Sequence, residues 1–113
     1  MSNPQKTKGD AAERAVVAWF RDFKGFAAER IRSGRSTDPG DITWPMCDYL
    51  IDVKNRDRWR IQEWFHEVAD EAEVESSGGM APNLIPCVIV KVPGETDPGR
   101  WLAVMRVEDV EWQ

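Results

Sequence analysis

Asp52 and Lys54 stand two residues apart at the end of the run Tyr49-Leu50-Ile51-Asp52-Val53-Lys54. In a β-strand successive side chains alternate between faces, so Leu50, Asp52 and Lys54 point one way while Tyr49, Ile51 and Val53 point the other. An acid and an amine about 7 Å apart on a half-buried strand need a partner, such as a metal ion or a phosphate, to offset their desolvation. A lone D-x-K also suits an exposed edge strand carrying surface charges, and the three residues do not choose between the two.

Asp41 adds the second carboxylate. It opens the short run Asp41-Ile42-Thr43-Trp44 directly after Pro39-Gly40, close enough along the chain for a hairpin to set it beside Asp52. Two aspartates, the main-chain carbonyl of Val53 and water form the hard oxygen environment that suits Mg²⁺, with Mn²⁺ as its substitute. Glu13 is the candidate third carboxylate. It follows Ala12 of a helical apolar stripe and so lies at the border of that stripe; a surface glutamate favoured by the helix dipole is the other reading.

Several elements must hold these groups. Ala12, Ala15, Val16, Trp19, Phe20 and Phe23 recur at helical spacing, which predicts a helix from Asp10 to about Lys24, stopped by Gly25. Residues 1–8 are polar and read as a flexible N-terminus. Phe26 to Ile31 reads as a strand, followed by the turn-rich loop 32–40. Residues 41–44 and 49–54 read as a strand pair. Ile61, Trp64, Phe65, Val68 and Ala72 mark a second helix, residues 76–83 a loop, and Ile85–Val92 and Trp101–Val107 two further strands. The order α-β-β-β-α-β-β implies an α/β domain, one sheet of about five strands flanked by helices.

A chain of 113 residues has room for one domain, here 1–113, and its 42% hydrophobic content is enough to bury a core. No apolar run approaches a membrane span and no leader is evident, so an intracellular, cytoplasmic location is expected. Cys47 and Cys87 lack C-x-x-C spacing and nearby histidines, which disfavours zinc and leaves a disulfide open as the lesser option. Charge is uneven: residues 1–60 hold 12 Lys/Arg against 9 Asp/Glu, net +3, and residues 61–113 hold 3 against 11, net −8, together the −5 of the whole chain. The basic clusters Arg30, Arg32, Arg35 and Lys54, Arg56, Arg58, Arg60 are the places where phosphates would sit, or else a solvated surface.

Taken together these residues resemble the PD-(D/E)-x-K nucleases, and within them the archaeal-type Holliday-junction resolvases. Lys8-Gly9-Asp10-Ala11-Ala12-Glu13-Arg14 is similar to that family's opening helix with its acidic ligand, and Arg30 through Ser33-Gly34 to its basic Ser-Gly loop. Gly40-Asp41-Ile42 and Ile51-Asp52-Val53-Lys54 stand at the two motif positions in the right order. The likeness covers residues 8–60; beyond them only the order of a helix and two strands agrees. Gly40 replaces the motif proline, Asp52 stands where the resolvases usually carry Glu, and the second half is acidic. The resemblance implies a restriction-endonuclease-like core and an Mg²⁺-dependent endodeoxyribonuclease acting on branched double-stranded DNA.

On that reading Glu13, Asp41, Asp52 and Lys54 are catalytic, and the metal is held by the three carboxylates and the Val53 carbonyl. Lys54 would orient the attacking water or stabilise the pentavalent phosphorus, or act as base. Arg30, Arg32, Ser33, Arg35, Ser36, Arg56 and Arg58 would hold the DNA backbone without reading sequence, and Gln62 is a further polar candidate. Cutting two symmetry-related strands implies a homodimer, with Trp59, Trp64, Trp101 and Trp112 as candidate interface area or simply core. Two alternatives remain: a flap, mismatch or other structure-specific endonuclease, and a non-catalytic acidic DNA mimic or partner-binding protein, motivated by Glu63, Glu67, Asp70, Glu71, Glu73 and Glu75. The only histidine, His66, has no supporting pattern around it.

Overall fold

The computed structural model describes residues 4–25, 29–30, 41–43, 48–77 and 84–112. Helix α1 spans Pro4–Lys24 and begins earlier than the apolar stripe alone predicts, taking in residues 4–8 of the expected flexible N-terminus. A proline is well suited to open a helix, because its missing N–H would have no intrahelical acceptor there and its φ is already helical. Arg21 and Lys24 lie in the last turn, where they complement the negative end of the helix dipole. Gly25 then adopts φ +70°, a left-handed value that a side chain disfavours, and the helix stops.

The strands are β1 (Glu29–Arg30), β2 (Asp41–Thr43), β3 (Tyr49–Lys54), β4 (Ile85–Val90) and β5 (Leu102–Val104), hydrogen-bonded in the order β1-β2-β3-β4-β5. The weight of the sheet is the mixed set β2-β3-β4, in which β2 pairs antiparallel and β4 parallel with β3. At the margins β1 and β5 have two and three residues. Helix α2 (Ile61–Ser77) makes the crossover that a parallel β3–β4 pair requires. The architecture is α/β.

The side-chain alternation expected for β3 holds. Ile51 and Val53 pack with Ala12, Val16 and Val17 of α1. Leu50 packs on the opposite face with Trp64, Val68 and Ala72 of α2. β4 contributes Cys87 to the α1 side and Val88 and Val90 to the α2 side, so it is apolar on both faces, as a strand covered by helices on both sides must be. The expected strand 101–107 contracts to three residues because a short 3₁₀ turn (Val107–Asp109) takes its end. Just before it, the Trp101 indole N–H donates to the Glu95 carbonyl at 2.9 Å and fixes the preceding turn. In that turn Gly99 lies so close to α1 that an added Cβ would come within 2.8 Å of Trp19 Nε1. Among the described residues no helix is long and apolar enough to cross a membrane.

Cys87 is a free thiol in the α1-side core; Cys47 lies outside the described residues. Burial pushes the Cys87 thiol up to about 12 from 9.0, against a smaller lowering by a backbone hydrogen bond at Val104. The folded protein therefore keeps this proton at a pH where the unfolded chain has released it. That contribution to stability is complete below about pH 9 and is lost as pH rises toward about 12. At pH 11 the loss amounts to about 2–3 kcal/mol. Urea denaturation at pH 8 and pH 11 is expected to give a steeper alkaline loss for the wild type than for Cys87→Ala. Equal losses would show that the thiol is not insulated from water.

Candidate functional site

The β2–β3 register is the central geometric result. Asp41 and Asp52 are direct cross-strand partners, with Ile42 opposite Ile51 in the next rung. Positions directly opposite in an antiparallel pair lie on one face of the sheet. Asp52 has a cation at its side. Lys54 Nζ lies 3.3 Å from Asp52 Oδ2, with the lysine side chain 15% and the aspartate side chain 4% exposed. The same ammonium sits 5.9 Å from the centroid of the Trp64 ring, which is itself buried in the α2-side core. An aromatic face adds a further attraction for a desolvated cation.

Local sequence explains why this pair is buried. Asp52 and Lys54 follow Leu50 on the face that α2 covers, and Trp64 arrives one turn into that helix. The apolar alternation of β3 draws the carboxylate inside, and its lysine neighbour on the same face neutralises it. Sequence reading paired Asp52 with Lys54 but missed Trp64 as the surface under the ammonium. The available signal was its place on the apolar stripe of α2, next in the chain after β3.

The other expected residues fall at different distances from this pair. Glu13 is buried, 7% exposed, on α1, whose core residues cover the sheet face opposite to Leu50. Val53 is buried toward α1 and pairs with Ile89 of β4. Arg56 and Arg58 are exposed in the connection between β3 and α2, and Gln62 and His66 are exposed on α2. Arg30 lies in β1, opposite Ile42. Arg32, Ser33, Arg35 and Ser36 lie outside the described residues. Among the described residues no group of three or more His, Cys, Asp or Glu side chains converges to hold a metal. The structure thus joins Asp52 to Lys54, sets position 41 opposite position 52, and brings Glu13 from the other layer.

Beside the pair opens a cleft of about 640 Å³ lined by Lys54, Arg56, Arg58 and Arg60, with Trp64 and three acidic residues of the same segments. Lys54 belongs both to this cleft and to the ion pair, so it links the cleft to Asp52. Of the tryptophans considered as interface area, Trp64 is core and Trp101 packs against the α1-side core, while Trp59 and Trp112 are exposed at 41% and 76%. No protein-family model matches the chain, and no curated protein or solved structure does.

Proposed function

We propose that the chain is a metal-dependent endonuclease that hydrolyses phosphodiester bonds in branched DNA, Holliday junctions foremost, on a restriction-endonuclease-like core. One observation carries the reading: Asp41 and Asp52 are cross-strand partners, and the Lys54 ammonium lies 3.3 Å from Asp52 at the edge of an arginine-lined cleft. The donors suit a hard divalent ion, because two aspartates at one rung supply carboxylate oxygens and a negative charge that requires a cation. Asp41 and Asp52 would hold Mg²⁺, or Mn²⁺ in its place, with the Val53 carbonyl as a further donor; Glu13, on the helix over the other face of the sheet, stands apart from that set. Bound there, the ion activates water and polarises the phosphate.

The protein groups do the rest. Asp52 is held in place by burial and by Lys54, so its carboxylate needs little reorganisation to act. Lys54 lines the cleft, so its ammonium would neutralise charge gathering on the phosphoryl oxygens. Arg56 and Arg58 position the strand through its phosphates, without reading bases. Two protomers related by a twofold axis would cut two symmetry-related strands.

Incubating the protein in Mg²⁺ with four-way, flap, bubble and plain duplex DNA tests this reading. The expected result is cleavage at the branch point, abolished by chelation. Equal cutting of plain duplex removes the branched-DNA assignment, and no cutting of any substrate removes the nuclease. A flap or mismatch substrate is the alternative within the same chemistry. The exposed acids of α2, Glu63, Glu67, Asp70 and Glu73, support an acidic partner-binding surface as the reading outside it.

A further inference from the structure

The cleft beside Lys54 has a charge balance that argues against a grip on phosphates alone. Its four basic residues face Asp57, Glu63 and Glu67 in the same lining, leaving one net positive charge. Some of this charge is already engaged: Lys8 lies 3.4 Å from Asp57, Arg60 lies 3.5 Å from Glu63, and Lys54 is held by Asp52. Affinity for a paired DNA backbone grows with the number of phosphates neutralised, and a lining this balanced neutralises few. Another source of binding energy is needed.

The same segment of chain carries one, although it does not line the cleft itself. Trp59 stands between the cleft-lining Arg58 and Arg60, and although it is among the most apolar side chains of the segment, 41% of its surface is exposed. An exposed indole interleaved with arginines is the arrangement that binds single strands: the guanidinium groups follow the backbone and the ring stacks on a base. Only an unpaired base offers its face, because in a duplex both faces are covered by neighbouring pairs.

We infer that the segment 55–60 binds an unpaired DNA strand, with a base stacked on Trp59 and the backbone along Arg56 and Arg58. This rests on the proposed nuclease in one respect: the strand so held leads to Lys54 and Asp52, so the substrate is branched DNA with unpaired nucleotides at the branch point. The binding itself does not require catalysis. It is measured by fluorescence anisotropy in chelator, with labelled 12-nucleotide single-stranded DNA, the matching RNA and a blunt duplex of the same length.

The expected result is tighter binding of single-stranded DNA than of duplex. Trp59→Ala weakens single-strand binding about 10-fold, the scale of one lost base–aromatic stack of about 1–3 kcal/mol, and leaves duplex binding unchanged. Trp59→Phe, which keeps a ring, retains most of the affinity and shows that the alanine variant is not simply unfolded. Preference for duplex or for RNA, or equal single-strand binding by wild type and Trp59→Ala, overturns the inference. Cleavage that persists in Mg²⁺ after such a result leaves the nuclease standing; single-strand binding that depends on Trp59 in a protein that cuts nothing removes the nuclease and keeps the strand site.

Discussion

Asp52→Asn is expected to fold as the wild type does and to cleave branched DNA at least ~10³-fold more slowly in Mg²⁺, a loss of about 4 kcal/mol from the transition state. Asn occupies nearly the same volume on the face covered by Leu50 and Trp64, so packing is preserved. What disappears is the negative charge opposite Asp41, and with it half of the aspartate pair that gives the site its demand for a cation. The orphaned Lys54 is 15% exposed, enough for its flexible stem to carry the ammonium toward the cleft, so the cost in stability stays within about 2 kcal/mol. Circular dichroism and thermal denaturation establish the fold, and a gel assay of junction cleavage reads the activity. Wild-type rates in a folded Asp52→Asn protein would remove the site from the chemistry.

Lys54→Met has the second large effect, on stability as well as on cleavage. Methionine retains most of the stem that lies over Trp64 but removes the ammonium 3.3 Å from a carboxylate that is 4% exposed. Breaking a buried pair by removing one member costs about 3–5 kcal/mol, because the remaining charge stays desolvated. The double variant Asp52→Asn with Lys54→Met is expected to recover much of this loss, since neither charge is left inside. Millimolar Mg²⁺ should raise the melting temperature of Lys54→Met more than that of the wild type, because a divalent ion at the aspartates compensates the same charge. If Lys54→Met melts with the wild type, or if the losses of the two single variants add, the pair contributes little and Asp52 is stabilised from elsewhere.

The two roles of Lys54 follow from one position. Without a divalent ion it balances Asp52; with a phosphate in the cleft it faces that phosphate, because the same side chain lines both places. The connection from β3 to α2 carries Arg56, Arg58 and Trp59, so on the proposed reading the residues that would hold the strand follow directly in sequence on those that would act on it.

Much of the frame was legible in the residues because it depends on local periodicity. The stripe Ala12, Val16 and Phe20 needs only the helical repeat to be seen, and the alternation of Leu50, Asp52 and Lys54 with Ile51 and Val53 needs only the pleat. Helix α2 was found by the same means, though it runs on to Ser77, past the last apolar residue of its stripe. Element ends were less visible. The start of α1 at Pro4 depends on a helix that, once nucleated by its buried stripe, extends through Gly9 into a polar segment. The contraction of β5 depends on a 3₁₀ turn at Val107–Asp109 that no alternation of apolar residues announces.

By itself the sequence determined an α/β chain with an acid and an amine on one strand face, and a basic connection with a tryptophan in it, because strand and helix repeats are properties of neighbouring residues. Only the tertiary structure decided that Asp41 faces Asp52, that Lys54 closes on Asp52 above Trp64, and that Glu13 comes from the layer on the other face. Those outcomes depend on register and on which helix covers which face. A shift of one residue in the β2–β3 ladder would send Ile42 out of the core it shares with Ile51, so long-range burial, not local pattern, sets the aspartates opposite each other.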